Sequence, residues 1–149
     1  ATDSAPKTAV AVAPTAVSFQ NSTKKINPYR LPDGSTVWLH PGAKLAFAPS
    51  ADDTRREVRF SGEAFFDVFR DPAHPFVIRS GRMTTQVLGT SFNVKADPAS
   101  ARYEVAVLTG KVAVRTTGER PTTVLLTPRQ RAVFDLPTDR LTKTPVPNR

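Results

Sequence analysis

Between Glu57 and Val94 apolar and polar residues alternate in short runs, and each run is entered or left through a glycine or a proline. Val58, Phe60, Ala64, Phe66 and Val68 share one parity. Phe76 with Ile78, and then Phe92 with Val94, continue the pattern. Side chains that recur every second residue stand on one face of a strand, so these runs predict half-buried β-strands and exclude amphipathic helices.

The same alternation extends along most of the chain. It predicts strands over 36–40, 44–48, 56–61, 64–70, 76–80, 84–88, 92–96, 102–108, 111–116, 123–126 and 131–136, with Val17 and Phe19 adding a first strand. Turn signals separate them at Asp33-Gly34, Pro41-Gly42, Ser61-Gly62, Asp71-Pro72, Ser80-Gly81, Asp97-Pro98, Thr109-Gly110 and Thr127-Pro128. Each offers a fixed φ or a residue that accepts a positive one. The expectation is one all-β domain of about eleven to thirteen short strands, as a sandwich, a roll or a β-solenoid. The segment 108–112 is the best hairpin candidate, with Tyr103, Val105, Val107, Val112 and Val114 on the buried side.

With 149 residues, 39% of them hydrophobic, the chain suits a single domain with a modest core. Residues 1–22, rich in Ala, Thr, Ser and Pro, are expected to form a flexible leader. Residues 23–136 form the domain, and 137–149, with three prolines, a linker or disordered tail. Such ends suit a fragment of something longer. No apolar run approaches the roughly 18 residues that cross a bilayer. The absence of cysteine removes disulfides and thiol chemistry. Of the net charge of +8, residues 1–27 and 136–149 carry +2 each, and the basic residues of the middle are scattered. That distribution argues against a nucleic-acid groove, which needs a basic stripe with interleaved aromatics.

Several words in fixed order bear on identity. They are Leu31-Pro32-Asp33-Gly34-Ser35, then Gly62-Glu63-Ala64-Phe65-Phe66-Asp67-Val68, Pro75-Phe76-Val77-Ile78, Val87-Leu88-Gly89-Thr90-Ser91-Phe92-Asn93-Val94 and Leu108-Thr109-Gly110-Lys111-Val112. Over 29–136 the chain resembles the periplasmic sensor domain of FecR-family proteins, membrane-spanning anti-sigma-factor regulators of iron transport and cell-surface signalling. It departs from the family at Pro128-Arg129-Gln130, where Pro-Gly-Gln is usual, and at Gly42-Ala43, where Gly-Ser is expected.

The resemblance implies a non-enzymatic relay in the periplasm. The signalling domain of an outer-membrane TonB-dependent transporter would dock here. A sigma factor would be reached only through a cytoplasmic segment, and the membrane through a helix, neither of which lies in this sequence. No cofactor, metal or nucleic acid is implied. Asp33, Gly34, Gly62, Glu63, Gly89 and Gly110 are expected in turn and structural roles. The resemblance also implies that some members are cut at a Gly–Thr bond in this word, here Gly89-Thr90, by attack of the threonine hydroxyl on the preceding carbonyl. The plainer reading, a tight turn between two strands, is preferred.

Among other candidates, Glu63 and Asp67 share a strand face but lie about 13 Å apart at strand rise, too far for paired carboxylate chemistry. His40 and His74 stand beside prolines with no second ligand at metal spacing. Phe65 and Phe69 fall on the parity opposite Phe66. Either the strand is buried on both faces, the favoured reading, or the two form a contact patch for a partner. The alternative function is a carbohydrate-binding β-sandwich using Trp38, His40, Phe47 and Tyr103 as a stacking platform.

Overall fold

The computed structural model describes residues 17–49, 54–118 and 121–145. The described residues form thirteen strands and no helix: β1 (Val17–Gln20), β2 (Asn27–Arg30), β3 (Thr36–Leu39), β4 (Lys44–Pro49), β5 (Arg56–Asp67), β6 (Phe76–Ser80), β7 (Met83–Val87), β8 (Ser91–Ala96), β9 (Arg102–Thr109), β10 (Val112–Thr116), β11 (Thr122–Leu126), β12 (Gln130–Asp135) and β13 (Arg140–Pro145).

They make two facing layers. One runs β1-β4-β5-β6-β7-β10-β11 and the other β2-β3-β5-β8-β9-β12-β13. Strand β5 belongs to both. Its first half pairs β4 antiparallel and β6 parallel; from Gly62 onward it pairs β3 and β8. Hairpins β6-β7, β8-β9, β10-β11 and β12-β13 then fall alternately in one layer and the other, so the chain winds as a stacked roll. At the far end β11 and β13 approach, with Lys143 Nζ donating to the Leu125 carbonyl at 3.2 Å, and the roll is nearly closed.

The inner faces supply the core. Phe66 is its centre, stacked on Phe92 (centroids 5.3 Å apart, 7° between planes) and edge-on to Phe60 and Phe76. Such pairs add about 0.5–1.5 kcal/mol each beyond area burial. The predicted inner parity Tyr103, Val105, Val107, Val112 and Val114 is buried.

Connectivity departs from the sequence reading in four places. The two strands predicted over 56–61 and 64–70 are one strand, because Gly62 bends β5 from layer to layer instead of ending it. The segment at 109–111 is a crossing, not a hairpin, since β9 and β10 lie in different layers. Strand β2 was not foreseen; Pro28 lacks an N–H, and β2 sits accordingly at an edge, paired only with β3. The expected tail contains β13. The turn that admits it is held by Arg82, whose Nη1 donates to Asp139 Oδ1 at 2.9 Å, and by Leu141, which is buried. At the other end, Val17–Gln20 is strand, and Asn21, fully buried, donates to the Leu39 and Lys25 carbonyls at 2.7 Å. The rest of the expected leader, 1–16, lies outside the described residues.

Two backbone positions are decided by φ. Gly62 has φ 110°, and a Cβ there would lie 2.7 Å from Ala43 Cα. Gly62→Ala therefore combines strain with a backbone clash and is expected to cost about 2–4 kcal/mol in urea unfolding. Arg129, in the turn before β12, has φ 71°. Arg129→Gly removes a left-handed penalty of about 1–2 kcal/mol, partly offset by unfolded-chain entropy, so a net gain of about 0.5–1 kcal/mol is expected in the same assay.

Candidate functional site

One end of the roll collects the segments that leave β5, β7 and β9: residues 68–71, 88–90 and 110–111. These cross or leave layers, so their carbonyl groups have no ladder partner and must be satisfied otherwise. Arg56, the first residue of β5, does this. Its side chain faces inward with the parity of Val58 and is 5% exposed. Nε donates to the His74 carbonyl (2.7 Å) and Nη1 to the Phe69 carbonyl (2.7 Å) and Asp33 Oδ2 (2.9 Å). Nη2 reaches the Asp71 and Leu88 carbonyls at 3.4 Å, and the guanidinium lies 5.2 Å from the Phe76 ring centroid.

Asp33 neutralises the charge and organises its own turn. Its carboxylate accepts from the Ser35 amide (3.0 Å) and hydroxyl (2.7 Å), and Ser35 Oγ accepts from the Phe69 amide at 2.9 Å. Gly34, at φ 96°, has the Phe69 ring 3.5 Å from where a Cβ would stand. Asp33 and Gly34 lie in this turn; sequence reasoning missed Arg56, which looks like any arginine entering a strand.

The Gly89–Thr90 peptide is packed into this end. The Asp71 amide donates to the Leu88 carbonyl and the Val68 amide to the Thr90 carbonyl, both at 2.9 Å. A Cβ on Gly89 would lie 2.5 Å from Arg70 Cα, whereas the φ of Gly89 is not left-handed. Glycine is needed there for close approach and not for a left-handed backbone angle. Gly110 (φ 78°) presses on the Thr90 methyl from the other side. Thr90 is buried, and its Oγ1 has no hydrogen-bond partner. The segment is not a turn within one sheet: β7 pairs in one layer and β8 in the other, so it is a crossing.

The remaining candidates lie apart. Glu63 braces the opposite end, its carbonyl accepting from the His40 amide (3.0 Å) and its carboxylate from Asn93 Nδ2 (3.3 Å), with His40 Nδ1 at 3.7 Å. Asp67 instead accepts from Ser91 Oγ at 3.2 Å. His74 Nδ1 lies 2.9 Å from Asp71 Oδ2. Among the described residues no three His, Cys, Asp or Glu side chains group as metal ligands.

Phe65 and Phe69 separate. Phe65 is half-buried against Trp38 on the outer face (centroids 5.7 Å), so the strand is covered on both faces there. Phe69 is 57% exposed beyond the strand's end, beside the exposed segments of Leu88 and Leu108. The stacking platform does not assemble. Phe47 and Tyr103 are buried in the core, from opposite layers, while Trp38 and His40 face outward.

The architecture is thus an all-β roll of alternating hairpins with a polar-stapled end. The FecR protein family model matches residues 5–113, and the chain belongs to that family. Two crystal structures of a protein from Parabacteroides distasonis ATCC 8503, assigned as an anti-sigma factor, superpose on it. One has a TM-score of 0.80 at 30% identity, covering 89% of this chain and 61% of that one. The other has a TM-score of 0.79 at 31% identity, covering 87% and 60%. The chain therefore spans about three-fifths of the length of these relatives. No curated protein matches it.

Removing one partner of a buried, hydrogen-bonded ion pair strands the other. Arg56→Gln is expected to lose about 3–5 kcal/mol in urea unfolding. Arg56→Lys keeps the charge but not the planar fork and should recover less than half of that loss.

Proposed function

We propose that this domain is the periplasmic relay of an anti-sigma regulator, coupling a TonB-dependent transporter of the outer membrane to an extracytoplasmic sigma factor. Membership of the FecR family carries the reading, and the assignment of the structurally similar protein as an anti-sigma factor supports it. No helix among the described residues is long and apolar enough to cross a membrane, so attachment would come from a segment outside them.

The roll offers a physical route for docking. Among the described residues β1 and β2 each pair on one side only, and their free backbone groups can receive an added strand. Pro28 removes a donor from β2, which favours β1. A pull-down with the signalling domain of a transporter encoded beside the parent gene is expected to retain this domain. Failure of that capture with folded protein would move the docking role elsewhere in the parent chain.

A second reading, single-turnover cleavage at Gly89–Thr90, draws on the buried Thr90 hydroxyl, one of four without a hydrogen-bond partner among the described residues and the one that follows a closely packed glycine. Such a group carries a penalty of about 1–3 kcal/mol that reaction can relieve. Thr90 Oγ1 attacks the Gly89 carbonyl carbon; the Oγ1–C bond forms as C–N breaks, and the hydroxyl proton passes to the departing nitrogen. Water then hydrolyses the ester to the Gly89 carboxylate and the Thr90 hydroxyl. Intact-mass analysis after prolonged incubation is expected to show fragments 1–89 and 90–149 in the parent sequence and in Thr90→Ser, and none in Thr90→Val. Wholly intact parent protein would exclude this reaction.

A further inference from the structure

The outer face of the β1-β4-β5-β6-β7-β10-β11 layer carries its charge in a row. Cα register places Ala46 beside Arg59, Arg59 beside Arg79, Arg79 beside Thr84 and Thr84 beside Arg115. Neighbouring strands are about 4.8 Å apart, so Arg59 and Arg79 stand side by side as like charges, an arrangement that destabilises a sheet. Lys44 adds a fourth cation to a face whose sole carboxylate, among the described residues, is Glu57. That carboxylate is already engaged: Arg55 Nη2 lies 2.7 Å from it and Arg79 Nε 3.7 Å. The Arg55 guanidinium holds the Glu57 carboxyl below its usual range, so it is ionised and committed. Arg59, Arg115 and Lys44 are left with no carboxylate partner among the described residues.

The other outer face differs. There Glu63 pairs in register with Lys95, Lys95 with Glu104, and Arg131 lies 3.7 Å from Glu104, so cations and anions alternate. The uncompensated row is therefore particular to one face and does not follow from a basic composition.

A concavity of about 650 Å³ adjoins the row, bounded by Ser18, Phe19, Lys44, Ala46, Arg59 and Arg79. We infer that this face binds an acidic, extended segment of a protein partner, with carboxylates on Arg59, Arg79 and Arg115 and a small apolar side chain over Ser18 and Ala46. Guanidinium forks suit carboxylates, and a recess of this size takes individual side chains, whereas a flat anionic bilayer would touch only the arginine tips. The inference rests on the relay reading only in taking the partner to be a protein.

The test uses a fluorescein-labelled ten-residue peptide of alternating Glu and Ser with one central Leu, and fluorescence anisotropy. Saturable binding is expected, weakened about tenfold by Arg59→Gln/Arg79→Gln and also by raised salt. Lys95→Gln on the opposite face should leave it unchanged, and the double variant should unfold no earlier than the parent protein, because a like-charge pair has been removed. No saturable binding, or equal loss in Lys95→Gln, overturns the proposal. Tighter binding to phosphatidylglycerol vesicles than to the peptide, lost in the same double variant, would assign the row to a lipid surface instead. These outcomes are independent of the transporter pull-down, since an unrelated peptide is the probe.

Discussion

The buried guanidinium of Arg56 is the interaction on which this roll depends. A chain that alternates between two layers must cross from one to the other, and at each crossing main-chain carbonyls leave the ladder. Each one buried without a donor costs about 1–3 kcal/mol, a large share of the stability of an ordinary domain. One arginine supplies five N–H groups in a plane, and here they reach carbonyls from residues 69, 71, 74 and 88 together with the Asp33 carboxylate. The desolvation of the charge is offset by Asp33 and by the Phe76 ring face. A lysine has the charge but cannot span those directions.

This staple also fixes what surrounds Gly89–Thr90. Arg56 holds the Leu88 carbonyl, the 68–71 segment walls the peptide on one side, and Gly110 closes on the Thr90 methyl. The glycine-centred words are thus contacts between crossings. Gly62, Gly89 and Gly110 all stand where another part of the chain approaches closer than a side chain permits. Only Gly62 and Gly110 also need a positive φ.

Much of this was legible in the sequence and some was not, for reasons that can be named. Alternation reports which residues face inward, so the core parity of Val58, Phe60 and Phe66, and of Tyr103 to Val114, could be read directly. Alternation does not report which sheet a strand joins. Ser61-Gly62 and Thr109-Gly110 therefore looked like turns, although one bends a continuous strand and the other crosses layers. Arg56 left no signal because its acceptors are mostly main-chain carbonyls distant in sequence. Phe47 shares parity with Leu45, and Tyr103 with Val105, which is why both are buried and no surface platform forms. The prolines of 137–147 obscured β13, whose apolar content in the described part is essentially Leu141.

The proposed relay role would require a boundary weakly held by apolar contacts, since a close-packed core repacks only as a unit. The Arg56 end meets that condition: its cohesion is polar, and Phe69, Leu88 and Leu108 around it are exposed. Strand β5 links it to the basic row, for Arg56 faces inward three residues before Arg59 faces out. Beyond Gly62 the same strand pairs β8, which begins directly after Thr90. A partner gripping Arg59 and Arg79 would thus act on the strand whose first residue holds the Leu88 carbonyl. Any strain on β5 is met first by hydrogen bonds at the guanidinium, two of them at 3.4 Å, before it reaches the stacked rings of Phe66 and Phe92.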